Sequence, residues 1–201
     1  MDNHNAQRGT FIAFESADNL PLFWHSANVE KYLQECLKME EVITINPYQG
    51  SSPTPSSLTS LYNTTITFLL NEGFTVIAER YTLSAIVHEV MKGNALTTVI
   101  EKYQDIPVPD ITFYLNLSTF AYQNENNVEH NLFVNNGSPC ICKESMHKIY
   151  EELIRTPLAG GDVFKFSKVD KNFVAAALPG TVYNYLRKTR NLRAELSAVK
   201  H

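Results

Sequence analysis

Residues 9–33 read GTFIAFESADNLPLFWHSANVEKYL, and this stretch decides the class of fold. The apolar run 11–14 predicts a buried strand. Apolar residues at three- and four-residue spacing after Asn28 predict an amphipathic helix that begins near Ser26. A strand that leads into a helix through a short linker is the framework of a phosphate-binding loop. Such a loop requires glycines, a lysine and a hydroxyl, but this linker supplies proline, leucine, phenylalanine and tryptophan at 21–24.

The rest of the chain repeats the alternation of strand and helix. Four more short apolar runs predict strands, at 42–46, 75–78, 111–117 and 163–166. Each run is nearly continuous in hydrophobicity, which is typical of strands buried on both faces. Helical spacing separates the runs, for example from Leu58 to Leu69 through Leu61, Tyr62, Thr65 and Phe68. We therefore predict one α/β domain over residues 1–201, with a three-layer, five-stranded, mainly parallel sheet flanked by helices.

Composition narrows the classes of function. A chain of 201 residues with 44% hydrophobic and 19% charged content is typical of a globular protein, and a net charge of −4 gives no general attraction to nucleic acid. No apolar run is long enough to span a membrane, and the polar N-terminus has no signal-peptide core. The three cysteines, Cys36, Cys140 and Cys142, favour a reducing compartment, so we expect a cytoplasmic or nuclear protein without metal.

Three segments have the composition of irregular chain. We expect residues 1–7 to be a flexible N-terminus, the Asn-rich region 118–142 to be mobile, and 193–201 to be a flexible basic tail. The preceding helix is basic too, and positive charge in a last turn is commonly a response to the helix dipole. A nucleic-acid surface that uses Arg187, Lys188 and Arg190 is the less favoured interpretation, because few aromatic residues are interleaved with the charges.

Residues at the predicted strand ends resemble those of the thymidylate kinase family. The family pattern RG-x-φ-I-x-φ-E-G-x-D, in which φ is apolar, is similar to Arg8-Gly9 followed by FIAFESAD at 11–18. The D-R-Y-x-x-S pattern at the end of the third strand resembles ERYTLS at 79–84. The pattern P-D-φ-x-φ-x-L of the fourth strand resembles PDITFYL at 109–115. The resemblance, which extends over residues 8–190, implies a P-loop NTPase fold of the thymidylate kinase type.

The departures from the family fall on the groups that handle phosphate. In the register of the resemblance, the P-loop has degenerated to Ser16, Asp18, Pro21, Leu22, Phe23 and Trp24. The loop glycines, the lysine and the two hydroxyls are all replaced. Because backbone N–H groups and the lysine hold the phosphates in such loops, we predict that binding of ATP and Mg²⁺ is lost.

The acceptor and lid sides of the family pattern are altered as well. The phenylalanine–proline pair after strand two becomes Asn46-Pro47, and the arginine that follows it becomes Gln49. The region 118–142, which corresponds to the arginine-bearing lid, contains no arginine. The resemblance thus implies a degenerate lid. Since phosphoryl transfer depends on positioned positive charge, we predict no catalytic residues.

Five residues of the family pattern survive, and they leave two interpretations open. Asp18, Glu79, Arg80, Tyr81 and Ser84 could bind a residual dTMP-like nucleotide, as the resemblance implies. The favoured interpretation is structural. Glu79 and Arg80 would pair and anchor the strand end, while Asp18 and Ser26 would cap or turn the chain locally.

Our functional prediction is a catalytically inactive protein of this family, a pseudoenzyme that serves as an interaction or scaffold subunit. The resemblance implies a homodimer, or a complex with another protein, through helices at 54–70 and 82–103. The alternatives are a divergent dTMP kinase or nucleotide-binding protein, and a nucleic-acid-associated factor. Phe23 and Trp24 either fill the former phosphate site, which is favoured, or anchor a partner.

Overall fold

The computed structural model describes residues 8–17, 22–37, 41–48, 52–117, 143–169 and 171–198. Five strands are present among them: β1 (Phe11–Glu15), β2 (Val42–Ile45), β3 (Thr75–Glu79), β4 (Ile111–Leu117) and β5 (Asp162–Val169). The helices are α1 (Leu22–Leu37), α2 (Pro55–Leu61), α3 (Thr67–Asn71), α4 (Thr82–Met91), α5 (Leu96–Tyr103), α6 (Lys143–Leu153) and α7 (Lys171–Ala198). A π-helical turn, Tyr62–Ile66, joins α2 to α3, and a 3₁₀ turn, Pro157–Ala159, precedes β5.

The strands form one sheet in the order β2-β3-β1-β4-β5, and each of the four pairings is parallel. The predicted α/β class and the five strands are therefore confirmed. Helices connect successive strands, as parallel pairing requires. The sheet edge that carries the ends of β2, β3 and β1 is central to the site described below.

The alternating side chains of the sheet divide between two apolar cores. Phe11 and Ala13 face one core, to which β3, β4 and the helices α2 to α6 also contribute. Ile12 and Phe14 face the other core, which α1 and α7 cover. Helices thus lie on both faces of the sheet, and this is the predicted three-layer arrangement.

The ion pair of Arg8 and Asp110 closes the amino end of the sheet. The Asp110 carboxylate accepts hydrogen bonds from Arg8 Nη1 at 3.0 Å and from the Phe11 backbone N–H at 2.7 Å. Gly9 lies between Arg8 and Phe11 in the sequence. A Cβ at Gly9 would approach the carbonyl oxygen of Phe74 to 1.8 Å. The arginine and aspartate of two family-like motifs therefore meet at the end of the sheet opposite the ligand edge of such folds.

Two expectations about burial need correction. Val163 and Phe164 of β5 were predicted to be buried on both faces, but they are 37% and 42% exposed. The reason is that β5 is the last strand of the sheet and pairs with β4 alone among the described strands. Phe68 was predicted on the apolar face of its helix but is 61% exposed.

Two helix boundaries also differ from the predictions. Helix α1 begins at Leu22 rather than near Ser26, so residues 22–24 form its first turn. Helix α7 continues to Ala198, and the predicted tail 193–201 is thus helical over most of its length. The predicted segments 1–7 and 118–142 lie outside the described residues. In the described part of the chain, no helix is long and apolar enough to cross a membrane.

Candidate functional site

The candidate site lies at the carboxyl ends of β2, β3 and β1, which are neighbours in the sheet. In open α/β folds, ligands bind beyond this edge. The residues that follow the three strands include Ser16 after β1, Tyr48 after β2, and Arg80 with Tyr81 after β3. The structure thus brings together four of the predicted site residues: Ser16, Arg80, Tyr81 and, one turn further along α4, Ser84.

Glu15, the last residue of β1, caps helix α4. Its carboxylate accepts hydrogen bonds from the backbone N–H of Tyr81 at 2.9 Å and of Ser84 at 3.1 Å, and from the Ser84 hydroxyl. The residue at the start of α4, Tyr81, supplies no side-chain cap of its own. Glu15 therefore satisfies N–H groups that the helix leaves unpaired.

The Glu15 carboxyl is fully enclosed. Only 1% of the residue is exposed, and the Tyr150 hydroxyl lies 3.5 Å from its Oε2 and 2.7 Å from Ser84 Oγ. Burial raises the pKa of this carboxyl, although the hydrogen bonds from Ser84 and Tyr81 oppose the shift. Burial, and next to it the charge of Glu15, raise the pKa of the Tyr150 phenol in turn. Neither residue was predicted to belong to the site.

Arg80 connects β3 to β1. Its backbone has a φ of 61°, the one positive φ at a non-glycine position in the described chain. From this conformation its Nη1 donates to the carbonyl oxygen of Ser16 at 2.8 Å. The Ser16 hydroxyl donates to the carbonyl oxygen of Leu115 at 2.8 Å. These contacts tie the ends of β3, β1 and β4 together.

Glu79 accepts a hydrogen bond from Ser26 of α1. Burial raises the pKa of the Glu79 carboxyl, while the hydrogen bond from Ser26 and the charge of Arg80 oppose the shift. Ser26 was predicted to cap α1. It lies inside that helix instead, and its hydroxyl joins the helix to the end of β3.

Tyr48 contributes a further buried group to the site. Its backbone N–H donates to Asn46 Oδ1 at 2.8 Å, and this turn follows directly on β2. Its phenol oxygen is buried and has no hydrogen-bond partner in the part of the chain that the structure describes. Burial and the neighbouring Tyr150 and Glu15 raise the pKa of the phenol well above its ordinary value, while Arg80 opposes the shift. Tyr48 was not predicted as a site residue, because its one sequence signal was its place after a strand.

Some predicted site residues are placed only in part or not at all. Asp18 and Pro21 lie outside the described residues. Leu22, Phe23 and Trp24 are described through their backbone, as the first turn of α1. Whether their side chains fill a phosphate site or anchor a partner stays a prediction. Among the described residues, no group of three or more His, Cys, Asp and Glu could hold a metal ion.

The fold and the polar strand ends define a class of protein. A parallel sheet in the order β2-β3-β1-β4-β5, with helices on both faces, is the P-loop NTPase fold of the thymidylate kinases. The crystal structure of thymidylate kinase from Ehrlichia chaffeensis has a TM-score of 0.60 and 13% identity, over 88% of this chain and 99% of that one. Thymidylate kinase from Candida albicans has a TM-score of 0.63 and 15% identity, over 92% and 93%.

The sequence comparison points to the same relationship. Thymidylate kinase from Dictyostelium discoideum is 27% identical, and the match covers 56% of this chain and 60% of that protein's length. No model of a known protein family matches the chain. The chain is thus similar to the thymidylate kinases in fold and over part of its sequence, which is the resemblance that its motifs predicted.

Proposed function

We propose that this protein is a catalytically inactive relative of the thymidylate kinases that works as an interaction or scaffold subunit. The observation that carries the proposal is the distribution of charge at the ligand edge. Among the described residues that directly follow β1, β2 and β3, Arg80 is the one cation, and its Nη1 donates to the Ser16 carbonyl. Arg8, the other arginine of the family-like motifs, is paired with Asp110 at the opposite end of the sheet.

Phosphoryl transfer needs more positive charge than this edge provides. Catalysis of that reaction consists almost wholly of positioning and of stabilising the charge on the phosphoryl oxygens. Loss of a single stabilising donor can cost on the order of 10²–10³ in rate. The helix that would receive the ATP phosphates begins here with Leu22, Phe23 and Trp24, none of which carries a lysine amine or a hydroxyl. These residues do not fit ATP and Mg²⁺.

The surviving motif residues support the proposal because they have structural roles. Glu15 caps α4, Arg80 joins β3 to β1, and Ser84 binds Glu15. A motif that holds strand ends together stabilises the fold whether or not the protein catalyses a reaction. The survival of these residues is therefore compatible with complete loss of the kinase reaction.

An exposed aromatic residue supports the interaction part of the proposal. Phe68 of α3 is 61% exposed, and the flanking Leu61 and Leu69 are only partly buried. An exposed phenylalanine that adjoins further accessible apolar side chains is a candidate anchor for a partner. We propose that the segment 54–70, with 82–103, pairs with a second copy of the chain or with another protein.

The test is phosphoryl transfer from Mg·ATP to dTMP, in protein freed of host kinases and measured beside an active thymidylate kinase. We expect no turnover above that of a mock purification. Turnover that co-elutes with the protein, and that disappears in an Arg80→Ala variant that remains folded, would overturn the proposal. A folded variant that keeps all the turnover identifies a contaminant.

A divergent dTMP kinase or nucleotide-binding protein is the second candidate. The favouring observation is that Arg80, Tyr81 and Ser84 do meet at the ligand edge of the sheet. A ligand that binds only the native state raises the melting temperature by mass action. A rise in Tm with dTMP or Mg·ATP in the wild-type protein would favour this candidate over the first.

A further inference from the structure

We propose that Tyr48 closes the acceptor side of the site, and that its ring occupies the space in which a nucleoside phosphomonoester would otherwise lie beside Arg80. This inference rests on the proposed function and extends it, because it names the residue that prevents a ligand from binding at this edge of the sheet. Ligand binding tests this inference, whereas catalytic turnover tests the proposed function. The two can therefore fail independently.

The strand order places Tyr48 where a ligand would lie. Strand β2 pairs with β3, and β3 pairs with β1, so that the residues after these strands line one edge. Tyr48 comes three residues after the end of β2, and the hydrogen bond to Asn46 Oδ1 fixes the turn that carries it. In open α/β sheets the ligand crevice lies outside this edge.

The phenol of Tyr48 is directed inward. Its oxygen is buried, and its electrostatic neighbours are Tyr150, Glu15, Arg80 and Tyr103. Tyr150 belongs to α6, Glu15 to β1 and Tyr103 to α5, and Arg80 directly follows β3. The buried phenol oxygen is therefore under the electrostatic influence of several elements that surround the candidate site. An exposed turn tyrosine would have no such set of neighbours.

Among the described residues the phenol oxygen has no hydrogen-bond partner, so no hydrogen bond found there holds Tyr48 in place. A buried hydroxyl without a partner is unfavourable, because it loses its hydrogen bonds to water and gains none. The ring must therefore be retained for the space that it fills. We infer a phosphomonoester as the excluded ligand class, because Arg80, whose charge acts on the Tyr48 phenol, has planar donors that suit phosphate oxygens.

The decisive variants are Tyr48→Ala, which removes the ring, and Tyr48→Phe, which removes only the hydroxyl. Each is tested by thermal unfolding with dTMP, with thymidine and with inorganic phosphate. We expect no shift in the wild-type protein or in Tyr48→Phe. In Tyr48→Ala, dTMP should raise Tm by about 3 °C when it is present at roughly ten times its Kd.

Controls keep the proposal falsifiable. Tyr183→Ala removes a partly buried tyrosine from the opposite core and should produce no ligand response. If Tyr48→Ala does not fold, Tyr48→Leu, which shortens the side chain but keeps it apolar, replaces it.

Three results would overturn the proposal. One is a dTMP shift in the wild-type protein equal to that in the variant. Another is a folded Tyr48→Ala variant with no gain. The third is a gain that thymidine reproduces in full and inorganic phosphate does not, which would show that no phosphate space had been opened.

Discussion

Glu15 is a buried carboxyl whose pKa links the folded state to pH. Burial raises this pKa above the ordinary value of 4.5. A group with a raised pKa in the folded state stabilises the fold fully below its unfolded pKa, and this contribution is lost as the pH rises through the folded pKa. The free energy of unfolding of the wild type, relative to Glu15→Gln, should therefore be largest below about pH 4.5 and decline above it.

Urea unfolding of both proteins at several pH values measures this difference. The comparison isolates Glu15, because the pKa of Glu79 is also raised and both proteins retain that residue. A difference that does not vary with pH would contradict the prediction.

Arg80 has a strained backbone, and its side chain donates a hydrogen bond to Ser16. Its φ of 61° lies in the left-handed region, which costs a residue with a Cβ about 1–2 kcal/mol and costs glycine little. Both Arg80→Ala and Arg80→Gly lose the hydrogen bond to Ser16. We expect the glycine variant to be more stable than the alanine variant by about 1 kcal/mol in urea unfolding. Equal stability, or a more stable alanine variant, would show that the backbone is not strained here.

At this scale the sequence predicted that Arg80 anchors the end of its strand, but it did not predict the cap of α4. The motif after β3 located Arg80 and Ser84 at the ligand edge. The cap of α4 could not be predicted, because its donor groups at Tyr81 and Ser84 lie 66 and 69 positions along the chain from Glu15. Local capping rules search only the adjacent residues.

The helix from Pro55 to Asn71 shows how one irregular turn changes which side chains are buried. The sequence predicted an apolar face that passes through Leu58, Thr65 and Leu69. The structure buries Leu58 with Ile66 and Leu70, one position later in the second half. The π-helical turn Tyr62–Ile66 explains the shift, because its wider turn accommodates one more residue than an α-helix does. Periodicity counted at 3.6 residues cannot detect such a turn.

Two glycines offer a matched test of how tightly the elements are packed. A Cβ at Gly9 would lie 1.8 Å from the backbone oxygen of Phe74, whereas one at Gly180 in α7 would meet nothing within 4 Å. Gly9→Ala should therefore lower the free energy of unfolding by several kcal/mol or prevent folding. Gly180→Ala should raise it by about 0.5–1 kcal/mol, because alanine favours helix. Thermal unfolding distinguishes the two, and a harmless Gly9→Ala would contradict the packing at the amino end of β1.

For the whole molecule, the proposed association predicts which exposed aromatic residue matters. Phe68 of α3 and Phe173 of α7 are exposed to similar degrees, 61% and 53%, but they belong to helices on opposite faces of the sheet. If the protein self-associates through 54–70, Phe68→Asp should shift it to monomer, since a buried unpaired charge opposes the contact. Light scattering after size exclusion measures the mass, and Phe173→Asp is the matched control.

Three outcomes bear on this prediction. A monomeric wild type would exclude the homodimer and leave a different protein as the partner. Dissociation by Phe173→Asp alone would place the interface on the other face. Dissociation by both variants would indicate loss of folding, which circular dichroism detects.

The overall architecture was the most predictable level. Short continuous apolar runs alternating with helical patterns sufficed for the class, because strands buried on both faces have few other sequence forms. The exception was the position of the edge strands, because the runs of β2 and β5 resemble those of the central strands. Position in a sheet depends on pairings distant in sequence, which a local pattern does not contain.

The exposed edge of β5 has a consequence for the behaviour of the protein in concentrated solution. An edge strand that carries exposed Val163 and Phe164, and that pairs with β4 alone among the described strands, is the kind of strand at which chain-to-chain β-pairing and aggregation begin. The register between Asn116–Leu117 and Ser167–Val169 skips Lys168, so a one-residue bulge interrupts the strand. Lys165 places a charge before the bulge, in an ion pair with Glu151. Bulges and charges on an edge strand oppose such recruitment, so a design that straightened β5 should lose solubility first.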